Sequence, residues 1–224
     1  MKDLRCFFDR WKHLLVLLYF PIYLAWFNYV ETHVTTQFHE VHMLLDDYIP
    51  FCEYFVIPYI LWFAYVAWGM TYTALNNKHD FYKLCGFLYT GMTLFLIIST
   101  VFPNGHYLRP TYFSHHNFYT TLCEFIYQTD TATNLFPSIH VYNSLGVHFA
   151  VMNCKDFKHK KTLRLMSLVL CISIILATMF IKQHSTFDVL TALLLGFVMY
   201  QVVYVKDWSR SPEKVSGKSR ILHT

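Results

Sequence analysis

The segment Lys182-Gln-His-Ser-Thr-Phe-Asp188 contains the residue types that most clearly suggest chemistry. His184 and Asp188 are four positions apart, and residues at this spacing stack on one face of a helix within hydrogen-bonding reach. A carboxylate in that position fixes the tautomer and the orientation of an imidazole. The spacing therefore predicts an oriented histidine.

Two further segments supply partners for such a histidine. Pro137-Ser138-Ile139-His140 is typical of a helix N-terminus, with Pro137 in the first turn, where backbone N–H groups attract an anion. Arg109 offers a planar fork of donors that suits a phosphate, and Lys182 adds a second cation. Together these residues predict a site in which two histidines, one carboxylate and two cations surround an oxyanion.

Each of these residues also has an ordinary structural explanation. A histidine near a helix end often caps it, Arg109 fits a solvated loop, and Lys182 fits a helix end from which its ammonium reaches water. Asp188 is harder to explain in this way, because a carboxylate just inside an apolar run is costly unless it is paired or faces a polar cavity.

Composition indicates that these segments belong to a membrane protein. The 224 residues are 55% hydrophobic and 14% charged, against about 25% charged residues in an average soluble domain. This balance argues against a soluble protein, and the composition excludes collagen-like and disordered classes. The six cysteines are scattered, which argues against a disulfide framework or a zinc site. We expect one membrane-embedded domain over residues 1–224.

Six apolar runs approach the length of about 20 residues that a membrane-spanning helix needs. They are His13–Val30, Ile49–Tyr72, Leu84–Phe102, Pro137–Met152, Leu165–Ile181 and Phe187–Val205. The fourth run is the shortest and the most polar. The sequence therefore predicts an all-α, polytopic bundle of six transmembrane helices.

Basic residues predict the orientation, because Lys and Arg collect in short cytoplasmic loops. The predicted spans leave 16 of the 18 Lys and Arg on one side, including the stretches before the first span and after the last. Both termini are therefore expected to be cytoplasmic. Arg109 and Lys182 are the two exceptions, and they fall on the outer side with His140, His184 and Asp188.

These motifs resemble those of the type 2 phosphatidic acid phosphatase superfamily. Its motifs have the forms K-x6-R-P, P-S-G-H and S-R-x5-H-x3-D, and Arg109-Pro110, Pro137-Ser-Ile-His140 and His184-x3-Asp188 follow them in order. The motif-bearing part covers about residues 102–196. The resemblance implies a six-helix membrane enzyme that acts on phosphate esters without a metal or other cofactor.

Three departures from the family pattern bear on the reaction. Phe102 stands where the first motif has Lys, Ile139 replaces Gly, and Ala177-Thr178 replaces Ser-Arg. We hypothesise that Lys182 supplies one of the missing cations. Lys-Gln-His before the Asp also resembles the branch with inositol phosphorylceramide and sphingomyelin synthases, which transfer a phospho-head-group between lipids.

The resemblance implies a role for each site residue. His184 would attack phosphorus to give a phosphohistidine, Asp188 would orient His184, and His140 would protonate the leaving oxygen. Arg109, Lys182 and the backbone near Ser138 would hold the phosphate oxygens. Candidate substrates are phosphatidic acid, isoprenyl phosphates or diphosphates, and phospholipid or sphingolipid head-group donors.

Two other function classes remain open at this stage. Thirteen histidines in an apolar helical protein could include axial haem ligands, and a relative that retained the fold could bind or transport lipid without catalysis. The sequence contains no nucleic-acid-binding motif, so we expect membrane lipids as partners. We expect a bacterial plasma membrane with the site on the extracytoplasmic side, although a lumenal site in a eukaryotic endomembrane obeys the same charge rule.

Overall fold

The structure, a computed structural model, describes residues 11–33 and 37–206. In the described residues the helices are α1 (Tyr19–His33), α2 (Leu44–Tyr48), α3 (Val56–Asn76), α4 (Lys78–Val101), α5 (Phe118–Thr129), α6 (Ile139–Asn153), α7 (Lys161–Phe180) and α8 (Thr186–Tyr200). Two short 3-10 turns are Glu53–Phe55 and Lys155–Phe157. A longer 3-10 segment (Lys12–Leu18) leads into α1, and a π-helical turn (Gln201–Val205) extends α8. Strands β1 (His39–Glu40) and β2 (Asn104–Gly105) pair in parallel.

Five helical stretches are long and apolar enough to cross a membrane. They are Lys12–His33, Glu53–Asn76, Lys78–Val101, Lys161–Phe180 and Thr186–Val205. They correspond to five of the six predicted spans, and the structure confirms an all-α polytopic membrane protein. The protein is therefore an integral membrane protein with several spans.

The fourth predicted span is present as α6 but is shorter than the others. Its 15 residues extend about 22 Å at 1.5 Å per residue, against a hydrocarbon core of about 30 Å. Helix α6 packs against α3, α4, α7 and α8 at the centre of the bundle. A Cβ on Gly146 would lie 2.7 Å from the Phe87 ring, so this close packing needs a glycine. Neighbouring helices thus surround α6.

The predicted boundaries differ most between the second and third spans. Helix α3 begins at Val56 and ends at Asn76, and α4 begins at Lys78 rather than at Leu84. The side chain of Asn77 caps α4 by accepting hydrogen bonds from the backbone N–H groups of His79 and Asp80. The connection is therefore a single residue, and the lysines that we expected in a loop lie in the first turns of α4.

The helices run back and forth, so their connections gather at two ends of the bundle. One end, called the site end below, carries α2, β1, β2, α5 and the α7–α8 turn. The other end carries the α3–α4 and α6–α7 connections, which Tyr72 and Asp156 join. Nine of the described Lys and Arg lie at this other end: Lys12, Lys78, Lys83, Lys155, Lys158, Lys160, Lys161, Arg164 and Lys206.

Some predictions concern residues outside the described ranges. The basic residues Lys2, Arg5, Arg10, Arg210, Lys214, Lys218 and Arg220, together with Cys6, lie outside the described residues. Five cysteines lie within the described ranges and all are free: Cys52, Cys85, Cys123, Cys154 and Cys171.

Candidate active site

The α7–α8 turn brings His184 against Asp188 and His140. His184 Nδ1 lies 3.4 Å from Asp188 Oδ2, and His184 Nε2 lies 3.3 Å from His140 Nδ1. The three side chains are 4%, 0% and 8% exposed, respectively. Because a carboxylate oxygen accepts, the Nδ1–H donates to Asp188 and leaves the Nε2 lone pair facing His140. The two predicted histidines and the carboxylate are thus assembled into one group.

The contact between His184 and Asp188 does not form along a helix face, as the spacing suggested. Helix α8 begins at Thr186 with Ser185 as its N-cap, so His184 lies in the preceding turn. Asp188 occupies the third helical position, where its carboxylate accepts a hydrogen bond of 3.0 Å from the Ser185 backbone N–H. The same carboxylate caps the helix and orients His184.

Burial keeps the His184 imidazole neutral. Desolvation and the nearby positive charge of Arg109 lower the pKa of His184 to about 3, and a backbone interaction with Leu135 opposes them. At neutral pH a ring nitrogen is therefore unprotonated and available as a nucleophile.

Helix α6 positions His140 from its first turn. Ser138 is the N-cap of α6, and its Oγ accepts a hydrogen bond from the Val141 backbone N–H. The Ser138 backbone N–H donates to the carbonyl of Asp188 over 3.3 Å, which links the starts of α6 and α8. The His140 ring packs between Tyr59 and Trp62, with centroids at 4.6 and 4.4 Å.

Arg109 is held near His184 by the α5 region. Its guanidinium lies over the Tyr127 ring at 4.6 Å and donates to the carbonyl of Thr131 over 2.8 Å. It also donates to the side-chain oxygen of Gln183, the residue before His184. Arg109 Nε is buried without a partner among the described residues. The half-buried guanidinium thus retains a donor for an incoming anion.

Lys182 reaches a different part of the molecule. It adopts a left-handed backbone conformation, with φ of 54°. Its Nζ donates to the carbonyls of Asp46 and Ile49 over 2.8 and 2.6 Å. These hydrogen bonds tie the α7–α8 turn to α2, so the structure gives Lys182 a role in anchoring the turn. Its compensation for a missing phosphate cation stays a prediction.

A comparison with protein families finds a similarity for the part of the chain that carries this group. The family model described as PAP2 superfamily matches residues 107–212, slightly less than half of the chain. Residues 107–212 are therefore similar to members of the PAP2 superfamily. Comparison with curated proteins and with solved structures found no match. The PAP2 segment contains all six predicted site residues, and members of the superfamily are generally phosphatases or phosphotransferases.

Asp46 supports the PAP2 segment from outside it and was missed by sequence reasoning. Its carboxylate accepts from Ser185 Oγ at 2.5 Å, from the Thr186 N–H at 2.7 Å and from Thr186 Oγ1 at 2.6 Å, and the side chain is 2% exposed. Burial acts to raise the pKa of Asp46, but these hydrogen bonds outweigh it and lower the pKa. An acidic residue in a short helix gives no local signal of a partner 139 residues away.

His106 and Gln183 form a second support that the motifs did not reveal. His106 Nδ1 accepts from the Leu108 N–H, so its Nε2–H donates to the Gln183 carbonyl over 3.0 Å. Burial lowers the pKa of His106 to about 4, which keeps this ring neutral. The Gln183 side chain is fully buried, and its Nε2 has no partner among the described residues. In the sequence His106 lies three residues before Arg109, and Gln183 directly precedes His184. This proximity to the motifs is the signal by which the sequence could have indicated both residues.

Asn104 fixes the approach to α6. Its side-chain oxygen accepts from the N–H groups of Leu135 and Phe136 over 2.8 and 2.9 Å. Glu31 holds the same approach by accepting from the backbone N–H of Thr131 over 3.0 Å. Among the described residues, no three His, Cys, Asp or Glu side chains are grouped as a metal site requires.

Proposed function

We propose that the protein is a membrane lipid phosphatase that hydrolyses a phosphomonoester or diphosphate of a lipid through a phosphohistidine intermediate. One observation supports this most: neutral His184 has Asp188 on Nδ1 and presents Nε2 to His140 at 3.3 Å. This arrangement supplies an oriented nucleophile and a group for proton transfer at one point.

The proposed reaction has two balanced steps. His184 Nε2 forms a bond to phosphorus while the bond from phosphorus to the lipid oxygen breaks, and that oxygen takes a proton from His140, which enters the step as imidazolium and leaves it as neutral imidazole. Water then attacks phosphorus and gives a proton to His140, while the bond from phosphorus to nitrogen breaks. Inorganic phosphate leaves, and both histidines return to their starting states.

Charge stabilisation in these steps falls to Arg109 and to the backbone at the start of α6. Arg109 Nε and Gln183 Nε2 are buried donors without partners among the described residues, and such donors suit the nonbridging oxygens of a transferring phosphoryl group. Reacting atoms approach to about 3–3.5 Å. Since the two imidazoles are themselves 3.3 Å apart, phosphate binding must separate them.

The charge distribution supports an extracytoplasmic site. Nine described Lys and Arg lie at the end opposite the site, and positive charge favours the cytoplasmic face. A single domain over residues 1–224 in a plasma membrane, with both termini inside and the site end outside, is part of this proposal. Lipid head groups would then reach His184 from the outer leaflet.

The test is an assay in EDTA with detergent-purified protein, a panel of lipid phosphates and phosphodiester lipids, and simultaneous detection of free phosphate and new lipids. We expect free phosphate, its loss in His184→Ala, and a phosphoryl group on His184 by mass spectrometry. His116→Ala is the matched control, because His116 is exposed at the same end. A new phospholipid without free phosphate would instead establish head-group transfer, and full activity of His184→Ala would refute the nucleophile.

A further inference from the structure

The proposed reaction needs His140 as an imidazolium when the substrate binds, and its surroundings make that charge costly. The His140 side chain is 8% exposed, and its Nδ1 faces His184 at 3.3 Å. Burial disfavours a charge that is not compensated. In the part of the chain that the structure describes, no carboxylate is close enough to pair with the His140 ring nitrogens. The charge therefore needs compensation of another kind.

Two aromatic rings from α3 enclose the His140 ring. The Tyr59 ring stacks on it with a centroid distance of 4.6 Å and an interplanar angle of 30°. The Trp62 ring lies against it at 4.4 Å. A cation within about 6 Å of such a ring centroid is attracted to the electron-rich face, and most strongly where water is excluded. Helix α3 thus presents two cation-binding faces to His140.

Asp130 supports the Tyr59 ring from the side away from His140. Because a carboxylate accepts, the Tyr59 hydroxyl donates to Asp130 Oδ2, over 3.1 Å. A hydrogen bond to an anion polarises its donor, which makes the phenol ring a better partner for a cation. Tyr59 is 2% exposed and packs among apolar side chains of α5 and α7. This packing holds the ring in place against His140.

The position of Asp130 is unfavourable for a carboxylate. It is the C-cap of α5, and the C-terminal end of a helix carries partial negative charge. Burial and the nearby Glu31 raise the pKa of Asp130 to about 6, while Arg109 and the Tyr59 hydroxyl oppose them. At neutral pH the group is still mostly ionised. Local conflicts of this kind in natural proteins are expected at functional sites.

We propose that Tyr59, Trp62 and Asp130 stabilise the protonated state of His140. The two rings bind the imidazolium through their faces, and Asp130 strengthens the binding through the Tyr59 hydroxyl. In this role Tyr59 and Asp130 are positioning residues, because they act through His140 and not on the phosphate. The inference rests on the proposed function, in which His140 gives its proton to the leaving oxygen.

The other charged groups around His140 act in both directions. His184, from the α7–α8 turn, faces its Nδ1, and the positive charge of Arg109 lies near His184. Two carboxylates lie one contact away: Asp188 through His184, and Asp130 through the phenol of α3. A bound phosphate adds negative charge to that of the carboxylates, so His140 gains its proton as the substrate arrives.

The kinetic test compares two phosphate esters that differ in the leaving group. One is a long-chain alkyl phosphate, and the other is a nitrophenyl phosphate that carries the same chain. We expect Tyr59→Phe and Asp130→Asn to lower kcat about tenfold for the alkyl ester and less than about twofold for the aryl ester, because a nitrophenolate leaves without a proton and general acid catalysis typically supplies roughly 10²- to 10⁴-fold. An equal loss for both esters would overturn the inference.

A double variant tests whether Asp130 acts through Tyr59. The double variant of Tyr59→Phe and Asp130→Asn should have the same kcat as Tyr59→Phe alone, because residues that act through one contact are not additive. Additive losses would contradict this link. Tyr54→Phe and Glu124→Gln are the matched controls and should retain wild-type kinetics. Tyr54 is 59% exposed just before α3, and Glu124, on α5, lies 3.8 Å from His116.

NMR of protein with isotope-labelled histidine, in detergent with orthophosphate, separates this inference from the proposed reaction. The His140 resonance is identified by its loss in His140→Gln. We expect its titration midpoint to fall by about one pH unit in Tyr59→Phe and in Asp130→Asn, which is the same tenfold effect. An unchanged midpoint, or a wild-type His140 that stays neutral throughout, would overturn the inference even if the protein releases phosphate. A lowered midpoint without turnover of either ester would refute only the reaction.

Discussion

At the scale of single residues, Asp46 connects the loop between the first two spans to the turn that carries His184. It accepts hydrogen bonds from Ser185 and Thr186, on either side of the start of α8. We expect Asp46→Asn to lower kcat about tenfold to a hundredfold, because small displacements of a reacting group cost up to about two orders of magnitude in rate. KM should change little, since the Asp46 carboxylate bonds to Ser185 and Thr186 rather than to Arg109 or Gln183. Steady-state kinetics on one lipid phosphate would measure both constants.

The neighbouring carboxylate provides the control for this substitution. Asp47 is exposed and pairs with His42 over 2.8 Å, so Asp47→Asn should retain wild-type kinetics. An Asp46→Asn protein with wild-type kcat, or with an apparent kcat lowered only in proportion to a loss of folded protein, would argue against a positioning role.

Gln183 offers a prediction about phosphate binding. Its side-chain oxygen accepts from Arg109, while its Nε2 has no partner among the described residues and can donate to an anion. Gln183→Glu would set a carboxylate against the guanidinium and repel a phosphate. We expect inhibition by orthophosphate or vanadate to weaken at least tenfold.

Gln128→Glu adds the same charge at an exposed position on α5, where solvent and salt screen it. Its inhibition constant should stay within about twofold of the wild type, an expected fold-change for a screened charge. Equal inhibition of wild type and Gln183→Glu would remove Gln183 from the phosphate site.

The sequence predicted single residues where motif spacing carried information, and failed where contacts are long-range. It brought together His140, His184 and Asp188, because two helix starts on one membrane side were recognisable. The sequence did not indicate that the Lys182 ammonium donates to the carbonyls of Asp46 and Ile49, and the phosphate role of Lys182 stays a prediction. No local pattern indicates that a short acidic helix will meet a turn more than 130 residues later.

At the scale of elements, the close approach of α4 and α6 depends on Gly91. A Cβ at this position would lie 2.0 Å from Tyr142 Cε1, and the Tyr142 hydroxyl is fixed by a 2.8 Å hydrogen bond to the Phe87 carbonyl. We expect Gly91→Ala to destabilise the protein by about 1–3 kcal/mol, the usual cost of overpacking a core. Unfolding by titration with a denaturing detergent would measure the change.

Gly86, on the same helix, faces open space. A Cβ at this position would meet no atom within 4 Å beyond the neighbouring backbone of its own helix. Gly86→Ala should be neutral or stabilising by up to about 1 kcal/mol, because alanine favours helix. Equal stability of the two variants would contradict the tight contact between α4 and α6.

Element prediction succeeded where apolar runs were long and failed at ends fixed by capping. Five spans matched helices of sufficient length and hydropathy. The start of α4 was misjudged because Asn77 caps a helix whose first turn contains charged residues. The predicted fourth span is short because its neighbours bury α6 on all sides, which removes the need for a long lipid-facing surface.

At the scale of the whole molecule, charge asymmetry yields a prediction about sidedness. Tyr112 is 80% exposed at the site end, and Lys158 is exposed at the opposite end. In a background with Cys6 and Cys52 replaced by serine, Tyr112→Cys should react with a membrane-impermeant maleimide on intact cells. Lys158→Cys should react only after lysis. The reverse pattern would put the site on the cytoplasmic face.

The tie between Asp46 and Ser185 also bears on the order of biosynthesis. A ribosome makes Asp46 well before Ser185, since 139 residues separate them. During that interval the carboxylate has no native donor from the α7–α8 turn, and the early helices must enter the membrane without it. The group of His140, His184 and Asp188 can assemble only after nearly the whole described chain has been translated. Premature termination before residue 185 therefore yields an inserted but inactive product.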